Sequence, residues 1–425
     1  MPPRTAEVIA VGSELLGSTR TDTNSLYLSD RLSSIGIDLR IKSVVGDDRG
    51  DLETMFRQAL ARADVVVLTG GLGPTDDDLT RDAVAQVLGI PMHEDASIVA
   101  KIRARFERRG LTMPEVNRRQ AQVPDGAVVL DNPNGTAPGL FIEHPWEGSR
   151  KIVILLPGPP RELNPMFDAL CTGLLADRAG QERSYRTSLF LTGRGESHVE
   201  EKAQPVYSRW RDAVPPITTT ILAAMGQIEL HLTVRDTDAA RARATLDRAR
   251  EELLAVIGDD VYSIDGRPME EVVGEMLQAR RYTIATAESC TGGLLMSRLT
   301  DVAGSSAYVR AGVVAYAYED KTSLLGVPRA MIESHGAVSE PVAVAMAEGI
   351  KAKTGADVTV GITGIAGPGG GTPSKPVGTV VIAVLVPDHP VYVRTYSFMG
   401  GRAMVKFQAT QAAMDRLRRM LAVSS

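Results

Sequence analysis

Residues 5–11 read Thr-Ala-Glu-Val-Ile-Ala-Val, residues 37–45 read Ile-Asp-Leu-Arg-Ile-Lys-Ser-Val-Val, and residues 64–69 read Asp-Val-Val-Val-Leu-Thr. Between them, near 23–34 and 51–61, lie segments with helical periodicity. Short β-rich runs alternating with amphipathic helices form a βαβαβ series, which places the strands parallel in one sheet. Working outward, helices are expected near 79–88 and 96–109, strands at 127–130, 140–143 and 151–156, and a helix after Pro157-Gly158-Pro159-Pro160. From about 183 the texture changes to a strand (185–191), a helix, a strand pair (216–224 and 227–234) broken by Met225-Gly226, and a long helix over 237–256. That is a small α+β unit. Residues 258–268 read as a linker, after which βα alternation resumes and runs to a closing helix at 402–421. The expected domains are 1–175, 176–260 and 261–425, the first and last of them α/β.

The length of 425 residues agrees with more than one core. Hydrophobic residues at 44% and charged residues at 23% fit a soluble globular chain. The net charge of −5 gives no global electrostatic case for nucleic acid or an anionic membrane. One basic run, Lys101, Arg103, Arg105, Arg108 and Arg109, shares its helix with Ile98, Ile102 and Phe106 and reads as a solvated face. Cys171 and Cys290 fall in different expected domains, so neither a disulfide nor a zinc site is expected and the compartment should be reducing. The first residues carry no signal-peptide pattern, and no apolar run reaches the roughly 20 residues that span a bilayer. A cytoplasmic protein is expected.

In the last domain the apolar run 282–287 gives way to Glu288-Ser289-Cys290-Thr291-Gly292-Gly293. A strand that stops at a glycine-rich helix start exposes its turn residue and aims backbone N–H groups at whatever binds there. Ser289 is therefore a candidate nucleophile. With six histidines in the chain and none near it in sequence, Lys321 is the simpler base, since a desolvated lysine can titrate near about 7 to 8. Cys290 competes as a nucleophile, its plainer reading being a small buried apolar residue. The loop Gly361-Ile362-Thr363-Gly364-Ile365-Ala366-Gly367-Pro368 suits a phosphate or carboxylate, and Arg402 opens the last helix. Each feature alone has a bland reading as a helix cap or an empty glycine loop.

In the first domain Gly70-Gly71-Leu72-Gly73-Pro74-Thr75 follows the strand ending at Thr69, and Asp76-Asp77-Asp78 opens a helix. Glycines at a strand's carboxyl end can cradle a diphosphate, and neighbouring carboxylates can hold a divalent cation. The Lys-Ser/Thr pair of a P-loop is missing. Taken by themselves, Asp77 and Asp78 read more readily as helix-capping residues.

Taken together, Ala287-Glu288-Ser289-Cys290-Thr291-Gly292-Gly293, Ala303-Gly304-Ser305-Ser306, residues 316–321, His335-Gly336-Ala337-Val338-Ser339, Ile362-Thr363-Gly364-Ile365-Ala366-Gly367-Pro368 and Lys375-Pro376-Val377-Gly378-Thr379 closely resemble the CinA family. The resemblance extends to the first domain through Gly12-Ser13-Glu14-Leu15-Leu16, Val45-Gly46-Asp47-Asp48, residues 70–80, Asn117-Arg118-Arg119-Gln120, residues 132–139 and Leu156-Pro157-Gly158-Pro159-Pro160. It implies an N-terminal molybdopterin-binding-like three-layer α/β domain, a small KH-like α+β middle domain and a C-terminal three-layer α/β deamidase domain. The middle region lacks a Gly-x-x-Gly clamp, because Gly193-Arg194-Gly195 is spaced differently.

The activity implied for the C-terminal domain is hydrolysis of nicotinamide mononucleotide to nicotinate mononucleotide and ammonia, without a cofactor. Carried over residue by residue, Ser289 is the nucleophile and Lys321 the base, with Tyr316, Ser306 and Thr363 in the catalytic set. Thr291, Gly292, Gly364, Gly367 and Arg402 bind substrate, Arg402 at the phosphate. Two positions depart from the family pattern: Tyr316-Ala317-Tyr318-Glu319-Asp320-Lys321 stands where Tyr-Ser-Asn-Glu commonly precedes the lysine, and Gly400-Gly401-Arg402 where Gly-Asp-Arg is usual.

For the N-terminal domain the resemblance implies ADP-ribose pyrophosphatase activity, with a divalent metal ion and potassium as a further cation. Gly70, Gly71, Gly73, Pro74, Thr75, Asn24 and Gly158 would bind the substrate, and Asp47, Asp77 and Asp78 the metal. Here Leu15-Leu16-Gly17-Ser18 replaces the common Leu-Leu-Leu-Gly. A homodimer is expected, and neither membrane nor nucleic acid is an expected partner. The rival readings are a molybdopterin-binding protein and a non-enzymatic adaptor in competence or DNA damage.

Overall fold

The computed structural model describes residues 2–422, and the chain forms two compact units, Met1–Tyr185 with Arg235–Ala242, and Arg186–Val234 with Arg243–Ser425. In the first unit the elements are β1 (Thr5–Val11), α1 (Asn24–Ser34), β2 (Asp38–Val45), α2 (Arg49–Arg62), β3 (Val65–Thr69), α3 (Thr80–Leu88), β4 (Met92–Glu94), α4 (Ala96–Glu107), β5 (Gln122–Pro124), β6 (Val128–Leu130), β7 (Gly139–Trp146), β8 (Ser149–Leu156) and α5 (Pro160–Thr172). The main sheet has the order β2-β1-β3-β8-β7-β6. Its first four strands are parallel, as the βαβαβ reading predicts, and β7 and β6 are antiparallel additions. Alternation on β3 builds both faces: Val66 and Leu68 enter the core with Leu52 and Phe56 of α2, while Val65 and Val67 enter the other with Leu28 and Leu32 of α1. The β4–β5 pair was not foreseen from the sequence, its strands being three residues each.

The register aligns the carboxyl ends of β1, β3 and β8, with Ala10 beside Thr69 and Thr69 beside Leu156. The three loops that follow therefore share one edge of the sheet, the usual crevice for ligands in open α/β sheets. Gly70 has φ +93°, and a Cβ there would lie 2.3 Å from the Val11 carbonyl oxygen. Only glycine fits that turn.

In the second unit follow β9 (Arg183–Leu191), α6 (Glu196–Tyr207), β10 (Ile217–Ala224), β11 (Gln227–Asp236), α7 (Ala239–Ile257), β12 (Val261–Ser263), α8 (Met269–Arg280), β13 (Ile284–Glu288), α9 (Leu294–Thr300), β14 (Val309–Val314), α10 (Tyr318–Leu325), α11 (Arg329–His335), α12 (Glu340–Thr354), β15 (Val358–Gly364), β16 (Thr379–Leu385), β17 (Tyr392–Ser397) and α13 (Arg402–Ala422). A four-stranded sheet, β10-β11-β9-β12, carries the middle region. Part of the expected linker is thus a strand, because Val261 and Ser263 pair antiparallel with β9 and bury their side chains.

The five-stranded sheet has the order β14-β13-β15-β16-β17. Strands β14, β13 and β15 are parallel, whereas β16 and β17 return antiparallel, so the expected βα alternation ends at β15. Helices α8, α9 and α13 pack on one face through Val273, Leu277, Leu295, Val405 and Leu417, and α12 covers the other with Val342, Met346 and Ile350. Gly361 permits the second contact, since a Cβ there would meet the Ala343 carbonyl oxygen of α12 at 2.2 Å. None of the described helices is long and apolar enough to cross a membrane.

Candidate functional site

Strand β13 lies between β14 and β15, and its hydrogen bonding continues one residue beyond its end. The Ser289 N–H donates to the Ile362 carbonyl at 2.9 Å, while the Glu288 carbonyl accepts from the Ala315 N–H at 2.9 Å. Ser289 is therefore anchored from both sides at the carboxyl edge of the parallel strands.

Lys321 reaches it from α10. This lysine is only 1% exposed, and its Nζ lies 3.0 Å from Ser289 Oγ, 2.8 Å from the Ala315 carbonyl and 3.3 Å from the Tyr316 carbonyl. A neutral amine has two N–H bonds and one lone pair. Once Lys321 is neutral, the two carbonyls would take its N–H bonds and leave the lone pair for the serine hydroxyl. Burial, the leading influence, pulls the Lys321 pKa below its ordinary value.

Cys290 sits next to the serine, and burial favours its uncharged form too, which for a thiol means an upward shift. Burial pushes its thiol up to about 12, so it is protonated near neutrality. Its side chain belongs to the apolar core with Leu295 and Ile362.

The expectation that the N-terminus of α9 faces a ligand is corrected. The helix begins at Leu294, five residues after Ser289, and its first N–H groups are already taken. Leu295 and Met296 donate to the Glu288 carboxylate at 3.1 and 2.9 Å, and Glu288 is 1% exposed. Among the described residues, the N–H groups of Cys290 and Thr291 find no acceptor on another residue. With the Gly293 N–H, they are open donors of the turn. The role of Glu288 was missed from the sequence, although a glutamate directly preceding a serine turn is its visible sign.

Arg402, at the start of α13, donates to the Gly367 carbonyl at 2.8 Å and to the Tyr316 hydroxyl at 2.9 Å. These contacts bring Tyr316, Gly367 and Arg402 together, and they orient the arginine where Gly401 replaces the usual aspartate. Tyr318 is 61% exposed on the first turn of α10. Lys406, unforeseen from the sequence, stands one turn after Arg402, and a Cβ added at Gly292 would lie 3.5 Å from its Nζ. Gly292 itself has φ +64°.

Thr363 is buried and its hydroxyl donates to the Ala337 carbonyl at 2.8 Å, so it ties β15 to the loop before α12. Thr291 is fully buried with an unpartnered hydroxyl, and Gly364 pairs with Val380 in the β15–β16 ladder. Ser306 precedes the amino end of β14, whose first residue pairs with Ile284, whereas Ser289 follows the carboxyl end of β13. At about 3.3 Å per residue the length of the strand separates them, so this chain's Ser306 does not line the Ser289 site.

In the first unit a cavity of about 650 Å³ opens at the shared carboxyl edge, lined by Asn24, Gly70, Gly71, Gly73, Thr75 and Gly158 among others; Pro74 is in the loop but outside the lining. Asn24 donates to the Gly158 carbonyl at 2.7 Å while its own carbonyl oxygen is buried and unpartnered. Asp78 turns into its own loop and accepts from the N–H groups of Gly73 and Thr75 at 2.7 and 2.8 Å and from the Thr75 hydroxyl. Asp47 accepts from the Ser13 N–H at 2.9 Å. A hydrogen bond from Thr75 holds the exposed Asp77 carboxyl below its ordinary pKa.

Asp47, Asp77 and Asp78 all line the cavity, but among the described residues no three His, Cys, Asp or Glu side chains gather as a metal-ligand set. The expected metal residues therefore do not fit a protein-built cage, and Asp78 is a loop clamp. The basic run noted above is partly engaged within the chain: Lys101 pairs with Asp131 at 3.0 Å, and Arg105 donates to the carbonyls of Pro133 and Asn134.

The model of the "CinA C-terminal domain" matches residues 266–421, and that of the "Probable molybdopterin binding domain" matches residues 7–177. A "CinA-like protein" of Koribacter versatilis is 45% identical over 416 residues, covering 98% of this chain and 99% of the relative. A second "CinA-like protein", of Acidobacterium capsulatum, is 44% identical with the same coverage. Among solved structures, the competence/damage inducible protein CihA of Agrobacterium tumefaciens is 35% identical, covers 36% of this chain and 94% of its own, and gives a TM-score of 0.35. With both domain models matched in order and full-length relatives well above 30% identity, the chain belongs to the CinA family.

Proposed function

We propose that the Ser289–Lys321 pair hydrolyses the carboxamide of nicotinamide mononucleotide. The observation that carries this reading is the buried Lys321 Nζ, 3.0 Å from Ser289 Oγ with its other two directions fixed by backbone carbonyls.

Neutral Lys321 takes the hydroxyl proton as Ser289 Oγ attacks the carboxamide carbon. The N–H groups of Cys290 and Thr291 hold the oxyanion, a contribution of roughly 10²- to 10³-fold per donor. Lys321 then gives its proton to the departing nitrogen, the C–N bond breaks and ammonia leaves. Water adds to the acyl-serine with Lys321 again as base, and the proton returns to Oγ as the nicotinate product departs. Arg402 and Lys406 supply the positive charge for the phosphate. The substrate test measures ammonia from nicotinamide mononucleotide, nicotinamide riboside and free nicotinamide. The reading requires strong preference for the mononucleotide; equal rates with the riboside would remove the phosphate assignment, and no ammonia from any of them would remove the function.

For the first unit we propose hydrolysis of the diphosphate of ADP-ribose, supported by the 650 Å³ cavity at the carboxyl edge. Glu14, Asp22, Asp47, Asp77, Asp78 and Glu162 line it against one basic lining residue, Arg20. A dianionic diphosphate would meet repulsion there unless a cation entered with it. AMP release from ADP-ribose that depends on added divalent cation supports the reading. Retention of a pterin by the purified protein, without hydrolysis, would favour the molybdopterin-binding alternative.

A further inference from the structure

A cleft of about 750 Å³ lies in the second unit, walled by the loop before α6, the edge strand β17 and the later turns of α13. It is distinct from the serine site. Arg402 and Arg416 stand at opposite ends of a helical stretch that spans about 20 Å at 1.5 Å per residue.

The walls combine two chemistries. Tyr392, Arg394, Tyr396 and Phe398 occur at alternate positions, which directs them to one face. Tyr396 and Phe398 are stacked at 5.3 Å with 9° between planes, Arg394 lies over Tyr396 at 5.2 Å, and Arg416 over Tyr392 at 4.2 Å. The cleft's carboxylates do not neutralise these two arginines. Asp260 pairs with Arg194 and Arg419, Asp415 pairs with Arg418 and Arg419, and Glu196 stands at the start of α6. Among the described residues Arg394 and Arg416 have no carboxylate partner, and Arg416 Nε is buried without any hydrogen bond. This last group is a desolvated donor awaiting an acceptor. The amino end of α6, whose Gly195 cap offers no side chain to its N–H groups, borders the same cleft.

We infer that this cleft binds a nucleoside monophosphate, with the base against the Tyr396–Phe398 face and the phosphate on Arg394 and Arg416. The aromatic wall supplies a stacking surface of the kind that holds bases, and the unpaired guanidiniums suit a phosphate. A volume of about 750 Å³ lies within the range of small-ligand pockets.

The test is hydrogen–deuterium exchange of the full chain with AMP, GMP, CMP and UMP in turn, alongside adenosine, inorganic phosphate and a short single-stranded RNA. Peptide resolution separates this cleft from the first unit's cavity and from the serine site. At least one monophosphate should protect residues 192–199, 392–398 and 408–419, at a concentration at least about tenfold lower than adenosine or phosphate requires. Arg394→Gln with Arg416→Gln should raise that concentration at least about tenfold. Tyr396→Leu provides an independent variant if the double substitution does not fold. Protection by none of the monophosphates, equal protection by phosphate alone, or protection by RNA at far lower concentration than any monophosphate would overturn the inference.

Discussion

At the residue scale the account rests on two groups that burial drives in opposite directions. Lys321 is pushed toward its neutral form and Cys290 toward its protonated form, and both shifts favour oxygen as the nucleophile. The sign of the pH dependence follows. The neutral fraction of Lys321 grows as pH rises through its lowered pKa, so kcat/KM for deamidation should climb with unit slope on the acid side and level off below 10.5, the ordinary lysine value. A profile that falls over this range would contradict the base assignment. Stability obeys the same linkage: between the lowered folded value and the ordinary unfolded one, the unfolded chain holds the proton that the folded chain has released. Stability should therefore rise with pH in that window. Replacing Lys321 by Met should remove this component while leaving the chain folded, as calorimetry across the window would show. Arg402→Ala, which removes a charged hydrogen-bonding group, should raise KM for nicotinamide mononucleotide by about 10- to 100-fold with a smaller change in kcat. A fall in kcat alone would place Arg402 at the chemistry instead of the phosphate.

At the element scale, the turn between β13 and α9 shows how far local sequence can be read. Ser289 and Lys321 were legible because a strand end, a glycine pair and the shortage of histidines are local or compositional signals. The capping of α9 by Glu288 was not, since it depends on a side chain folding back past the turn to meet N–H groups seven and eight residues onward. Glu288→Gln keeps one acceptor oxygen in place of two and should cost about 1–2 kcal/mol, seen as a lower Tm in thermal unfolding. An unchanged Tm would show that the carboxylate does not hold the helix. Gly361→Ala is a harsher test of the β15–α12 contact, because its methyl would meet backbone at 2.2 Å. The expected loss is about 1–3 kcal/mol by chemical denaturation, and neutrality would mean that α12 can lift from the sheet freely. Ser306 was misplaced for a related reason: a motif gives order along the chain, but strand direction decides which end of the sheet it occupies.

At the scale of the whole molecule, the parallel core of the first sheet was visible in three runs of β-rich sequence, each followed by a helix. What escaped the sequence were short or non-local pairings: the three-residue strands β4, β5 and β12, and the antiparallel return of β16 and β17. The first unit's glycine loop was also legible, whereas the inward turn of Asp78 became visible only through its bonds to Gly73 and Thr75. The two proposed activities draw on separate residues, so Ser289→Ala should leave AMP production from ADP-ribose within about twofold of the parent.

The central claim, a lysine-activated serine, is tested most directly by the rate of ammonia release from nicotinamide mononucleotide by Ser289→Ala, Lys321→Met and Cys290→Ala under identical conditions. The account predicts a loss of at least about 10³-fold for the first two and activity within about tenfold of the parent for the third. Full activity in Ser289→Ala, or loss confined to Cys290→Ala, would contradict it.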